Sequence, residues 1–145
     1  MKKFAFPLDR AMDWRGTQVR IEEMKLEVLY AELRGIDGQI AAVVTARDQS
    51  AQALMTAASV TGAELGAIDA FARFSVGEHA RLSYARADCS RRTDAQMQVV
   101  TAKRRDVRLL ERLKGQQLLK WNAEFSKEID AQAEESHIAK WCSRR

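Results

Sequence analysis

Between Leu8 and Val43 the sequence can be walked in alternating steps of four and three. The walk lands on Leu8, Met12, Arg15, Val19, Glu22, Leu26, Leu29, Leu33, Ile36, Ile40 and Val43. Nine of these eleven positions are apolar, and the last six are unbroken. A 4-3 spacing averages 3.5 residues, which keeps one narrow seam turned toward a partner helix along a left-handed supercoil. A helix packed into a globular core shows a wider stripe at period 3.6. Five consecutive heptads therefore predict a long coiled-coil helix that requires a partner.

The partner is expected later in the same chain. The sequence holds one proline, seven glycines and only 7% aromatic residues, a balance that suits long helices and not a sheet protein. Pro7 fits a helix's first turn, where its missing N–H costs nothing, and Asp9 and Asp13 complement the positive end of the helix dipole. Helix one is expected over about 7–58. Gly16, Gly35 and Gly38 fall inside it, but the seam keeps its phase on either side of them. A turn is placed at about 59–62, because Thr61 followed by Glu64 has the spacing of a capping box. Helix two is then expected over about 63–139, with apolar positions at Leu65, Ile68, Phe71, Phe74, Leu82, Cys89 and Met97, and later at Val100, Val107, Leu110, Leu113, Leu118, Trp121, Phe125 and Ile129. The step from Leu113 to Leu118 breaks the heptad and predicts a local change of winding there.

Two long helices joined by a short turn lie antiparallel. The expected fold is a single all-α domain over 1–145, an antiparallel coiled-coil hairpin. With the turn near 61, Leu8 falls opposite a residue near 114. The C-terminal helix then overhangs by roughly 20 residues, or about 30 Å at 1.5 Å per residue. The overhang carries Trp121, Phe125, Ile129 and Trp141, side chains that a solitary solvated helix does not favour. Two arrangements accommodate them: the segment 63–82 folds back and shifts the register, or the overhang docks into another protein.

Composition narrows the function classes. Net charge is +4 and pI about 9.3, mildly basic and suited to an acidic protein surface. Cys89 and Cys142 lie far apart with no CxxC spacing and read as free thiols. The N-terminus lacks the apolar core of a secretory signal, and the longest uncharged run, Gln49 to Ala63, is too short to span a bilayer. A cytoplasmic protein is expected. There is no phosphate-binding glycine loop and no HExxH or GxSxG motif. His79 and His137 have no cysteine partners at metal spacing. The expectation is a protein that is not an enzyme and needs no cofactor or metal.

Charge placement is more informative. Arg15 and Glu22 interrupt the seam, where polar residues commonly fix register; the alternative for Arg15, near the open end, is that it faces a partner. Lys103 to Lys114 is dense in cations, with Arg104, Arg108 and Arg112 on one i, i+4 stripe while Val107, Leu110 and Leu113 point toward the other helix. Such a stripe is either a solvated face or a docking surface. Interspersed acidic residues and the lack of a basic-region array argue against nucleic acid.

The opening Phe4-Ala5-Phe6-Pro7-Leu8-Asp9-Arg10-Ala11-Met12-Asp13-Trp14-Arg15 resembles the start of the flagellar export protein FliJ family. Glu111-Arg112-Leu113-Lys114, followed by Trp121, Glu124 and Glu128, is similar to that family's C-terminal signature; Gly115 and Gln117 depart from the more charged tract usual there. The resemblance spans nearly the whole chain. It implies a non-enzymatic cytoplasmic stalk of the flagellar type III protein export apparatus, serving flagellum biogenesis and motility and peripheral to the inner membrane. Such a stalk is similar to the central coiled coil of rotary ATPases. By this resemblance the terminus-bearing end, with Arg15, Arg104, Arg108, Arg112, Trp121 and Phe125, inserts into the hexameric export ATPase FliI and promotes its assembly and activity. The tip, with Ile68, Phe71, Phe74 and His79, approaches the export gate protein FlhA. Export chaperones are further expected partners. The alternatives are the equivalent stalk of a virulence-type injectisome and a self-associating coiled-coil scaffold.

Overall fold

A computed structural model describes residues 3–142, the side chain of Lys140 excepted. It contains two helices, α1 (Asp9–Thr56) and α2 (Gly62–Cys142), and no strand among the described residues. They pack against each other as a helical hairpin. The chain divides into two compact units. The first combines the sequence up to Arg20 with everything from Thr101 onward; the second is Ile21–Val100.

In the second unit the turn is built as the sequence leads one to expect. Glu64 N–H donates to Thr61 Oγ1 at 3.3 Å, and Thr61 N–H donates back to Glu64 Oε2 at 2.8 Å. This reciprocal pair satisfies two backbone donors that the start of a helix leaves without partners. The backbone and hydroxyl bonds from Thr61 hold the Glu64 carboxyl below its ordinary pKa.

The seam of α1 is the half-buried face of the unit: Leu26, Leu29, Leu33, Ile36, Ile40 and Val43 are all partly covered, and Glu22 is buried at 8% exposure. Two helices cover one side of each other and no more, so most seam side chains remain partly open to water. Among the described residues the buried apolar positions are Phe6, Leu82, Cys89 and Val100, the last two fully buried. Cross-helix polar contacts set the register. Gln96 Nε2 donates to Glu22 Oε2 at 2.7 Å and to the Glu22 carbonyl at 3.0 Å. Arg86 bridges to Asp37 at 2.5 Å, and Arg92 grips Glu32 with two nitrogens. The midpoints of these pairs fall between residues 59 and 62, as a turn near 61 requires. α2 is helical from Gly62 without interruption, so 63–82 does not fold back as a separate element.

The covered stripe of α2 differs from the expected one. In this unit it runs Ile68, Phe71, Ser75, Glu78, Leu82, Ala85, Cys89, Thr93, Gln96, Val100, whereas Leu65, Phe74 and Met97 face solvent. The steps alternate by threes and fours except at Ala85, Cys89 and Thr93, where two fours adjoin. Such an inserted step accommodates underwinding. The side chains there are small and internally satisfied: Cys89 Sγ donates to the Leu29 carbonyl at 3.6 Å, and Thr93 Oγ1 donates to the Cys89 carbonyl at 2.9 Å.

In the first unit the stripe continues through Lys103, Val107, Leu110, Lys114, Gln117, Trp121 and Phe125. The predicted break between Leu113 and Leu118 is therefore corrected. Both leucines are exposed, at 37% and 39%, and the seam passes through Lys114 and Gln117 instead. Lys114 suits an apolar seam because its methylene stem packs while its ammonium reaches out. The ammonium donates to Asp9 at 2.7 Å and lies 5.9 Å from the Phe6 ring centre.

Candidate docking face on the terminus-bearing unit

The lead-in before α1 is an ordered element of the first unit. Phe6 is buried at 4% exposure, its carbonyl accepts from Asp9 N–H at 3.2 Å, and Phe4 reaches Trp121 with ring centres 6.0 Å apart. Trp121 stacks on Phe125 at 5.1 Å. The expectation that Trp121 and Phe125 stand bare on an overhang is thus corrected: both are half-buried, Trp121 against Phe4 of the strap and Phe125 against Trp121. Past Phe125, α2 runs on to Cys142 with every described side chain exposed, Ile129 and Trp141 included. The Phe-x-Phe spacing ahead of Pro7 is the sequence signal for this strap, since two aromatics two apart on an extended chain share a side.

Arg15 lies in a paired setting. Its guanidinium bridges to Asp106 at 3.1 Å and sits 5.5 Å from the Trp14 ring centre. Half of its side chain stays in water, so the ion pair contributes little stability and Arg15 remains accessible to a partner.

Arg104, Arg108 and Arg112 are exposed on α2 of the same unit. With Thr101, Arg105 and Leu109 they line a groove of about 450 Å³. Among the described residues Arg105, Arg108 and Arg112 have no ion-pair partner. Arg105 and Leu109 were not singled out from the sequence, where attention to i, i+4 spacing hid the 4-3-4 line of Thr101, Arg105, Arg108 and Arg112. Charge is divided between the units. The first holds sixteen Lys and Arg against nine Asp and Glu, net +7; the second holds eight against eleven, net −3.

The four tip residues do not form one surface. Ile68 lines an apolar cavity of about 290 Å³ with Ala53, Leu54, Ala57, Ser59, Val60, Glu64 and Ala67. Phe71 lies in the seam, half-buried. Phe74, at 64% exposure, and the exposed His79 are five residues apart. At about 100° per residue that sets them roughly 140° apart around α2.

No three His, Cys, Asp or Glu residues cluster at metal-binding distance among the described residues, and no described helix is long and apolar enough to cross a membrane. Comparison with protein-family models, with curated proteins and with solved structures finds no match for this chain.

Proposed function

We propose that the protein is a non-enzymatic stalk of a flagellar type III export apparatus, working on the cytoplasmic side of the membrane. Its terminus-bearing unit docks into the hexameric export ATPase FliI and promotes the ring's assembly and turnover. What supports the reading most is the coincidence, on one unit, of a net charge of +7, the arginine groove and the Phe4–Trp121–Phe125 cluster beside a long exposed extension of α2. Long-range attraction brings such a unit to an acidic socket, and the aromatic cluster supplies the apolar contact that holds it. In this reading the second unit carries the contact with the export gate protein FlhA, through Phe74 and the apolar cavity at the turn, and export chaperones use the exposed faces.

The test is titration of the protein into its cognate ATPase with ATP turnover as readout. Turnover is expected to rise and saturate. Arg108→Ala/Arg112→Ala should shift the midpoint to higher concentration, and Trp121→Ala/Phe125→Ala should lower the plateau. Unchanged turnover, or full stimulation by both variants, rejects the docking surface. The equivalent stalk of an injectisome shares the geometry and differs in the ATPase it activates. A scaffold that pairs with itself has one observation in its favour, the exposed Leu119, Ile129, Ile138 and Trp141; sedimentation would then find a stable dimer.

A further inference from the structure

The outer face of α2 in the first unit carries its own 4-3 line: Thr101, Arg105, Arg108, Arg112, Gly115 and Leu119. All six are exposed, so the line is separate from the covered seam through Val107, Leu110 and Lys114. Its make-up is peculiar in two ways. Its cations are all arginines, whose planar fork matches carboxylates in a way an ammonium does not. Apolar side chains accompany them, Leu109 at 57% exposure beside the groove and Leu119 at 71% at the line's end. Gly115, on the same line, has open space where a Cβ would stand, as all seven glycines of the chain do, so the line is lowest there between Arg112 and Leu119.

We propose that this line is the seat of a third helix: an acidic amphipathic helix of a partner protein. Its carboxylates, at alternating three- and four-residue spacing, meet Arg105, Arg108 and Arg112, and its apolar side chains meet Leu109 and Leu119 across Gly115. The inference rests on the docking reading to the extent that it takes this face as an interface, and it adds the chemistry and shape of what docks. Nucleic acid fits less well. The line offers no aromatic for a base to stack on, and Asp106 and Glu111 interrupt the cationic surface.

The test uses the full chain and a labelled synthetic helix with Glu at three successive seam positions and Leu at the next two, read by fluorescence anisotropy and by the peptide's gain in helicity. Controls are a scrambled peptide of the same composition and a single-stranded oligonucleotide. The patterned peptide is expected to bind best and to turn helical. Arg108→Ala/Arg112→Ala should weaken it by about tenfold or more, as loss of paired charges at an interface does, and Leu119→Glu should weaken it while leaving the protein's own helicity unchanged. Arg108→Lys/Arg112→Lys should recover part of the loss. Equal binding of the scrambled peptide, tighter binding of the oligonucleotide, or no binding of the patterned peptide overturns the proposal. Peptide binding with no effect of the protein on any export ATPase would sink the export reading and leave this one standing.

Discussion

Glu22 is the most informative position for a stability experiment. It occupies a seam site between Val19 and Leu26, is buried, and accepts from Gln96 at 2.7 Å and from Lys25 at 3.1 Å. In Glu22→Ala the bond between Gln96 and the carboxylate is lost, worth about 1.5–3 kcal/mol for a hydrogen bond to a charged group. Two terms reduce the loss. Gln96 keeps its 3.0 Å bond to the carbonyl of residue 22, and a carboxylate no longer has to be desolvated. The Lys25 ammonium is more than half in water, so that pair adds under about 0.5 kcal/mol. The expected cost is about 1–2 kcal/mol, measured as a lower urea midpoint at unchanged slope. Glu22→Leu/Gln96→Leu should instead match or exceed the parent, since replacing both partners of a buried hydrogen bond by apolar groups is nearly neutral or stabilising. What it should lose is a unique register. Spin labels at Glu27 and Asp94, which lie at the same level of the second unit, should give one narrow distance in the parent and a broadened or second distance in the double variant. A single variant costing under about 0.3 kcal/mol, or a double variant that keeps one narrow distance, refutes the assignment of Glu22 and Gln96 as the register lock.

Three further outcomes are expected. In a Trp14→Phe/Trp141→Phe background, Phe6→Ala should free the strap, shifting Trp121 emission to the red and raising its quenching by acrylamide; the main unfolding midpoint should move by less than about 1 kcal/mol, because the loss at a chain end is local. The depressed Glu64 pKa means that its cap contributes in full above the ordinary value of 4.5 and is lost as pH falls through the lower folded value. Amide exchange at the start of α2 should therefore speed up as pH drops below 4.5, after correction for intrinsic rates, and Thr61→Ala should remove that dependence. Cys89 is fully buried where two four-residue steps adjoin, so Cys89→Leu should overpack the site and lower stability by about 1–3 kcal/mol in a thermal melt.

The seam of α1 was legible because every heptad from Leu26 to Val43 repeats one apolar pattern, and the turn because Thr61 and Glu64 carry a local hydrogen-bond motif. The stripe of α2 was less so. Its covered positions include Ser75, Glu78, Thr93, Gln96, Lys114 and Gln117, and a reading by hydrophobicity drifts to nearby leucines such as Leu113 and Leu118. Five of the six are tolerated for a reason only geometry supplies: a carbonyl one turn back for Ser75 and Thr93, Arg81 for Glu78, Glu22 for Gln96, Asp9 and the Phe6 ring for Lys114. The strap escaped notice because Phe4 and Phe6 belong to no periodic segment. The arginines announced themselves through charge, while the role of Leu109 and Gly115 beside them depends on knowing which face of α2 is already covered.

The claim on which the functional account turns is that the outer face of the first unit meets the export ATPase. A photo-crosslinking residue placed at Leu119, with controls at Phe74 and Tyr84 of the second unit, tests it in a single mixture with that ATPase and nucleotide. The account predicts a covalent adduct from position 119, lost when Arg108 and Arg112 are both alanine, and none from position 84. Adducts from position 84 or 74 without one from 119 would contradict it.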